Sequence, residues 1–363
     1  MDLSEQNVLL FSRSTQHGGT ENVMLQICKI LLPVVNKVIV CSSDGFRIEL
    51  LRKIEVKHYT IPDIEEKSPE IIMEVLGAVS SIICNERITI IHTHHRMAAF
   101  YAALLSIKYR FCFINTSHNT FSNKRLLTKI AYKKANLIAC GEMVKKNLVN
   151  VYRLNEKKIT VIHNAVEPFM DEIVEDKLLV NLRKQGYILV ANVGRLSEQK
   201  GMEYFIQSYP YVKTINDNVK YIIVGDGENR KKLEIMVKEI NAENDFYFLG
   251  YRNDIRNVMS QVDFIVLSSL WEGLPLTPIE AFSVRKTVIG TAVDGTVEVI
   301  EDTNNGYLIE PRNSKKIAEK VIELINNTEL RKVFEERAYK RFEEEFSFRV
   351  YRDRIIQYYH DHC

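Results

Sequence analysis

Short runs of apolar, often β-branched residues alternate along the chain with longer segments in which apolar positions recur every three or four residues. The runs have the length of buried strands, and the segments have the periodicity of amphipathic helices. Regular alternation of the two predicts parallel, doubly wound sheets built from βαβ units, an α/β fold. Strand-like runs in the first half cover residues 8–11, 37–41, 56–60, 88–92, 111–116, 137–140 and 159–162. A second series covers 187–193, 219–224, 246–249, 264–267, 286–290 and 307–309, and from residue 314 onward only helical periodicity remains.

Between the two series the chain turns acidic, with Glu167, Asp171, Glu172, Glu175 and Asp176 close together, which reads as a linker entering a helix. A length of 363 residues suits two domains with separate cores, divided there. Each half opens with a strand, a loop and a Gly-x-Glu at a helix start, Gly19-Thr20-Glu21 and Gly201-Met202-Glu203. Two doubly wound domains facing one another would produce that echo. Ligands are then expected beyond the carboxyl ends of the strands, in the cleft between domains.

Hydrophobic residues at 46% and charged residues at 26% exclude a disordered or fibrous chain. The formal net charge of +2 conceals an asymmetry. Between Arg87 and Lys158 there are 14 Lys or Arg but only Glu142 and Glu156, a local net charge of +12, so a basic face is expected on the first half. The first residues lack the basic and apolar regions of a secretory leader, and the longest apolar stretch, 97–107, falls short of the roughly 20 residues that span a bilayer. Cys28, Cys41, Cys84, Cys112, Cys140 and Cys363 are scattered without a CxxC pair, several inside strand-like runs where a free thiol packs as a small hydrophobe. A reducing, cytoplasmic setting is expected.

Three constellations carry chemistry. His17-Gly18-Gly19-Thr20-Glu21 follows the first strand; adjacent glycines allow close backbone approach, and the helix start behind them suits a diphosphate, although a plain strand-to-helix turn reads the same way. Gly194-Arg195-Leu196-Ser197-Glu198-Gln199-Lys200-Gly201 sets two cations five residues apart, able to bracket a leaving diphosphate and take over the charge neutralisation otherwise given to a metal. The third is Ser268-Ser269-Leu270-Trp271-Glu272-Gly273-Leu274-Pro275-Leu276-Thr277-Pro278-Ile279-Glu280-Ala281. There a strand ends in a Gly/Pro loop, and Thr277-Pro278 fits a helix start. The loop presents backbone N–H groups to phosphate and sugar oxygens; Glu272 would lie beside a sugar, and Glu280, in the first helical turn, could accept two ribose hydroxyls. Read without a ligand, Glu272 would be a solvated loop residue and Glu280 a partner of the helix dipole.

Glu272 and Glu280 in this string, together with Val193-Gly194-Arg195-Leu196, Lys200-Gly201 and Val224-Gly225-Asp226-Gly227, resemble glycosyltransferase family 4, in order and spacing over nearly the whole chain. The resemblance implies a GT-B fold: two Rossmann-like, doubly wound domains facing across a cleft. Residues 1–165 would bind the acceptor and residues 166–345 the sugar nucleotide, with the C-terminal helix, about 346–363, packing back on the first domain. It implies Gly18 and Gly19 as the diphosphate loop, Arg195 and Lys200 as its cations, Glu272 as the sugar contact and Glu280 as the ribose contact. Gly273, Leu274, Pro275, Leu276 and Thr277 would add contacts from the loop. His118, after the 111–116 run, matches the histidine that the family places beside the donor sugar. The chain departs from the family at His163-Asn164-Ala165, where many members carry Pro-Asn-Gly.

The activity implied is retaining transfer of a hexose-type sugar, from a UDP-sugar, to a saccharide or lipid-linked saccharide acceptor in cell-surface polysaccharide synthesis. A nucleotide-sugar epimerase of similar fold and a non-catalytic subunit of a transferase complex are the alternatives. No cofactor and no metal are expected, since Asp-x-Asp is absent and strand alternation would separate the neighbours in His92-Thr93-His94-His95. Around residues 123–134, Leu126, Leu127, Ile130 and Ala131 form one helical stripe ringed by cations, readable as a core-facing helix or as a contact with anionic membrane. The basic region lacks interleaved aromatics, so nucleic acid is not expected as a partner.

Overall fold

The computed structural model describes residues 2–13, 19–43, 48–169 and 172–363, the side chains of 19–21 excepted. The chain divides into two compact units, Met1–Asn164 with Arg349–Cys363, and Ala165–Phe348. Among the described residues the first unit carries seven parallel strands: β1 (Asn7–Phe11), β2 (Lys37–Ser42), β3 (Lys57–Thr60), β4 (Ile90–Thr93), β5 (Cys112–Ser117), β6 (Asn136–Ala139) and β7 (Ile159–Val161). Their order is β3-β2-β1-β4-β5-β6-β7. Val8 stands opposite Val38 on one side and Ile90 on the other, so β1 is central and is buried along its whole length.

The second unit carries β8 (Ile188–Val193), β9 (Val219–Val224), β10 (Phe246–Gly250), β11 (Phe264–Leu267), β12 (Val288–Thr291) and β13 (Gly306–Ile309), in the order β10-β9-β8-β11-β12-β13. Both sheets reverse direction of winding beside their first strand, between β1 and β4 and between β8 and β11. In doubly wound sheets ligands generally bind beyond the carboxyl ends of the strands at such a reversal. The second core is aromatic: the Phe205 and Tyr221 rings stack at 4.4 Å, Tyr209 stands edge-on to Tyr221 and to Phe246, and Ser208 satisfies the buried Tyr221 hydroxyl at 3.2 Å.

Local signals place the joints. The acidic segment ends in Asp176, whose carboxylate accepts the amide of Leu178 at 3.0 Å and caps helix Lys177–Lys184, while Arg252 holds its other oxygen at 2.9 Å. The chain leaves the second unit after helix Thr328–Arg341 and a π-helical turn, Phe342–Phe346. Val166 and the returning segment pair there, Val166 N donating to Phe346 O at 3.1 Å and Phe348 N to Val166 O at 3.2 Å.

The final helix, Phe348–His362, buries Tyr351, Ile355, Tyr358 and Tyr359. Its Tyr359 hydroxyl meets His92 Nδ1 at 2.8 Å, so the last helix belongs to the first core. This return also pairs two of the six scattered cysteines, against the reducing setting expected from the sequence: Cys112, at the start of β5, and Cys363 are joined in a disulfide, 251 residues apart. Cys28, Cys41 and Cys140 are buried free thiols and Cys84 an exposed one. Among the described residues no helix is long and apolar enough to cross a membrane.

Candidate functional site

In the second unit two glycine loops are laced together beyond β8 and β9. Gly194 N donates to Val224 O at 3.0 Å, Leu196 N to Asp226 O at 3.0 Å and Asn229 N to Leu196 O at 2.9 Å. Gly225 has φ +136°, and a Cβ there would lie 2.0 Å from Gly194 O, so only glycine lets the loops approach. The fully buried Leu196 anchors this lacing, and Arg195 beside it points out, 73% exposed and paired with Glu228 at 3.1 Å.

The chain then makes a 3-10 turn, Glu198–Lys200, closed by Gly201 in the left-handed region at φ +53°, where a Cβ would stand 2.4 Å from Ser268 O. Ser268 Oγ donates to Lys200 O at 3.0 Å and Leu270 N to Gln199 O at 2.7 Å, which ties the turn to the loop leaving β11. Lys200 Nζ thereby reaches Glu272 Oε1 at 2.5 Å, and Ser269 Oγ donates to the same oxygen at 2.6 Å. The two charged side chains are 16% and 7% exposed. A buried carboxylate with two donors is held in one place, unlike the solvated loop residue that the sequence also allowed.

The loop continues through Gly273, Leu274 and Pro275, all buried, into helix Leu276–Ser283. Gly295 lets it pack close, since a Cβ there would fall 1.8 Å from Gly273 O. The helix starts at Leu276 rather than at Thr277-Pro278, because Pro275 takes an extended conformation at the cap and Pro278, lacking an N–H, costs nothing in the first turn. Glu280 therefore belongs to the second turn, which removes it from the reach of the helix dipole as a first-turn partner. No side chain caps the helix start, so the free amides around Leu276 and Thr277 remain available to an acceptor. Burial raises the Glu280 pKa above the ordinary carboxylate value, against the opposing fields of Arg256 and Lys200.

Arg256 was not singled out by the sequence: it is one arginine in the six-residue helix Ile255–Ser260, with nothing local to mark it. Its guanidinium lies 5.6 Å from the centre of the Phe169 ring and donates to the Glu167 carbonyl. The structure thus brings Lys200 and Glu272 into contact, with Glu280 inside the field of Lys200, and gives Arg195 a separate partner at the rim.

In the first unit His17 and Gly18 lie outside the described residues, and Gly19 opens helix Gly19–Leu31. His118 follows β5, partly exposed, and its Nε2 meets His94 Nδ1 at 3.2 Å. His92, at the end of β4, is locked between Tyr359 OH and Thr116 Oγ1, at 2.8 and 2.7 Å. Loss of hydration pulls the imidazole pKa of His92 down to about 3 and that of His118 to about 4, and pulls His94 well below its ordinary value. His92 and His94 share a face, while His95 turns away to cap helix Arg96–Leu105. Among the described residues no group of three or more His, Cys, Asp or Glu is arranged to hold a metal ion.

The stripe at 123–134 splits. Helix Arg125–Tyr132 buries Thr128, Ala131 and Tyr132 and leaves Leu126 74% and Ile130 49% exposed beside Arg125 and Lys129.

Two Rossmann-like units of these strand orders, the second with an uncapped helix start beyond the carboxyl end of β11, have the architecture of the GT-B fold, and the likeness of the chain to known proteins makes it a glycosyltransferase. A family model described as Glycosyltransferase Family 4 matches residues 17–168, and one described as Glycosyl transferases group 1 matches residues 174–341. An uncharacterized glycosyltransferase of Methanocaldococcus jannaschii is 31% identical over 278 residues, 74% of this chain and 74% of that protein. The Escherichia coli UDP-Gal:alpha-D-GlcNAc-diphosphoundecaprenol alpha-1,3-galactosyltransferase is 28% identical over 320 residues, 81% of each. The crystal structure of Anabaena HepE in complex with UDP matches with a TM-score of 0.84 and 21% identity, over 98% of this chain and 100% of that one, a likeness of fold. The chain belongs to glycosyltransferase family 4.

Proposed function

We propose that this glycosyltransferase takes a hexose-type sugar from a UDP-sugar and places it, with retention and without a metal ion, on a saccharide or lipid-linked saccharide acceptor of cell-surface polysaccharide synthesis. The observation that carries the reading is the buried Lys200–Glu272 pair, with Glu280 in the field of Lys200, at the carboxyl ends of β8 and β11. In this reading Glu280 accepts the ribose hydroxyls and Glu272 a sugar hydroxyl. Lys200 and Arg195 balance the charge that grows on the diphosphate as the sugar–phosphate bond breaks. Backbone groups of Gly273, Leu274, Pro275, Leu276 and Thr277 add donor contacts, Gly18 and Gly19 face the diphosphate, and His118 hydrogen-bonds the transferred sugar. The acceptor hydroxyl forms the new bond on the face that the diphosphate leaves, and its proton passes to the departing phosphate oxygen.

The choice of UDP follows the E. coli relative, whose name specifies UDP-Gal, and the HepE complex with UDP. The relative's diphosphoundecaprenol acceptor, and the outward Leu126 and Ile130 among cations, support work at the cytoplasmic face of an anionic membrane. Thermal shifts with UDP-, GDP- and dTDP-sugars in EDTA, on wild type and Glu280→Ala, test the donor. Stabilisation by UDP-sugars that the variant loses is the expected result. A response that needs added divalent metal, or one unchanged by Glu280→Ala, would overturn the assignment. Sedimentation with phosphatidylglycerol vesicles at low salt tests the membrane face, and binding that survives Leu126→Ser with Ile130→Ser would refute that part.

A further inference from the structure

The loop that leaves the carboxyl end of β5, from His118 to Lys124, is pinned by its neighbours. Asn147, on helix Glu142–Asn150, clasps the backbone of Phe121, accepting its N–H at 3.1 Å and donating to its carbonyl at 3.0 Å. The buried Tyr152 donates to the Asn123 carbonyl at 3.2 Å. Arg96, half-buried at the carboxyl end of β4, lays its guanidinium over the Phe121 ring at 4.7 Å and donates through Nη1 to Asn123 Oδ1 at 2.9 Å. Its Nε and Nη2 donate to nothing among the described residues, so one edge of an ordered guanidinium fork stays open.

Two lysines gather at the same loop. Contact with the Lys67 ammonium, and then its field, pulls the pKa of Lys124 below the ordinary lysine value; Glu65 opposes the shift and Arg96 adds to it. Glu65 itself faces His95, at 3.6 Å, and among the described residues no carboxylate stands within ion-pair distance of Arg96, Lys67 or Lys124. Helix Arg96–Leu105 opens with Arg96, helix Arg125–Tyr132 is preceded by Lys124, and neither has an acid in its first turn. Helix starts repel cations, and like charges in contact repel one another. Local rules broken together in this way, with nothing inside the unit to compensate, mark a place shaped for an absent anion.

We propose that Arg96, Lys67 and Lys124 form a phosphate site in the first unit, which holds the diphosphate ester joining an acceptor saccharide to its lipid. The proposal rests on the reading of the acceptor as a lipid-linked saccharide and gives that reading its binding residues. The open edge of Arg96 fits two oxygens of one phosphate, and the two ammonium groups serve the other. His118, the proposed sugar contact, opens the same loop, so one segment receives both the acceptor phosphate and the transferred sugar. Leu126, 74% exposed two residues beyond Lys124, offers the lipid chain an apolar surface beside the site.

Titration calorimetry on the full chain in saturating UDP, which keeps the donor site filled, tests the site with inorganic pyrophosphate and with farnesyl diphosphate, a soluble isoprenoid ester. Wild type should bind both. Arg96→Gln, and Lys67→Gln combined with Lys124→Gln, should each weaken both ligands on the order of tenfold and leave UDP affinity unchanged. Lys124→Asp removes a like charge and sets a carboxylate at a helix start, so it should raise the thermal midpoint while weakening the diphosphates at least as much. A purely structural role would move stability and affinity in the same direction. Absence of diphosphate binding to wild type, or unchanged affinity in the variant that lacks both exposed lysines, overturns the proposal. Binding of pyrophosphate without farnesyl diphosphate would make the occupant a free anion. Lysine variants that lose phosphatidylglycerol vesicles in sedimentation but keep farnesyl diphosphate would make the cluster a membrane-surface patch, and either result overturns the assignment. Failure of UDP to bind wild type would instead overturn the donor reading, while the first-unit variants still report on the diphosphate.

Discussion

Acid should weaken the first unit and spare the second. All nine histidines of the chain fall in the first unit and its returning helix, and none in Ala165–Phe348. Those in the buried row have folded-state pKa values below the free value: His92 about 3, His118 about 4, and His94 lower than the ordinary range. The unfolded chain therefore binds more protons between about pH 4 and 6.5, so stability is full above that window and is lost as pH falls through it. Each such histidine contributes a slope of about 1.4 kcal/mol per pH unit, hence roughly 2 kcal/mol between pH 7 and 5. His92, fully buried, is the cleanest case. In His92→Gln the amide can still bond Tyr359 and Thr116 but cannot titrate, so the slope of the first unit should fall by about 1.4 kcal/mol per pH unit. Urea unfolding at pH 7, 6 and 5 measures this, with peptide-resolved hydrogen exchange for the first unit and Trp271, the single tryptophan, as a fluorescent reporter of the second. Equal pH slopes in the two units, or an unchanged slope in His92→Gln, would refute the reasoning.

Three further outcomes are expected of the second unit. Lys200→Ala strands a carboxylate that is 7% exposed and should cost about 3–5 kcal/mol of stability, recovered in Lys200→Met with Glu272→Gln, whereas Arg195→Ala should cost at most about 1 kcal/mol. Both single variants should nonetheless lose about a hundredfold to a thousandfold in kcat, so denaturant midpoints and rates measured together separate the two effects. Gly225→Ala puts a Cβ 2.0 Å from a carbonyl oxygen at φ +136°, and calorimetry should show a marked loss of stability in the second unit. Because burial raises the pKa of Glu280, donor affinity should fall with acid at a higher pH than an ordinary carboxylate would give, and titration calorimetry on Glu280→Gln should show weak binding without that dependence.

The thirteen strands among the described residues were legible, most of them because strands covered on both faces print as continuous apolar runs. By contrast β3, a half-exposed Lys-His-Tyr-Thr at the sheet edge, was marked by its flanking pattern alone. Their ends shift for local reasons that a hydrophobic pattern does not carry. The 286–290 run begins two residues before β12 because Arg285 turns left-handed at φ +57° and the Lys286 amide closes the preceding helix onto Ala281 O. The carboxyl-end loops were legible through Gly225, Gly201 and the Glu272-to-Glu280 string, whose residue types answer local geometry. What the sequence hides is pairing across distance. Lys200 finds Glu272 72 residues on, His92 finds Tyr359 267 residues on, and Cys112 finds Cys363, each through sheet order and helix return rather than spacing. His94 and His118 meet because β4 and β5 are neighbours in register, with Thr93 opposite Asn115.

The pairing of Lys200 with Glu272 also bears on how a diphosphate would be received. A lysine with no partner at a 16% exposed position would face a large desolvation cost, which the carboxylate of Glu272, itself held by Ser269, offsets while it orders the lysine side chain. Its rotamer freedom is already lost before a donor arrives, so less entropy is left to lose on binding. A diphosphate brings more negative charge than one carboxylate and can share the ammonium with Glu272, because Lys has three donors and needs only one for the pair. Arg195, exposed and held only by a surface pair, can swing to the ligand with little loss from Glu228. One cation fixed in place and one free at the rim is therefore a workable division of labour. It predicts that salt weakens the contribution of Arg195 to donor binding far more than that of Lys200, because screening acts on exposed charges and much less on buried ones. Equal salt dependence in Arg195→Ala and Lys200→Ala would place both cations in the same environment and break the argument.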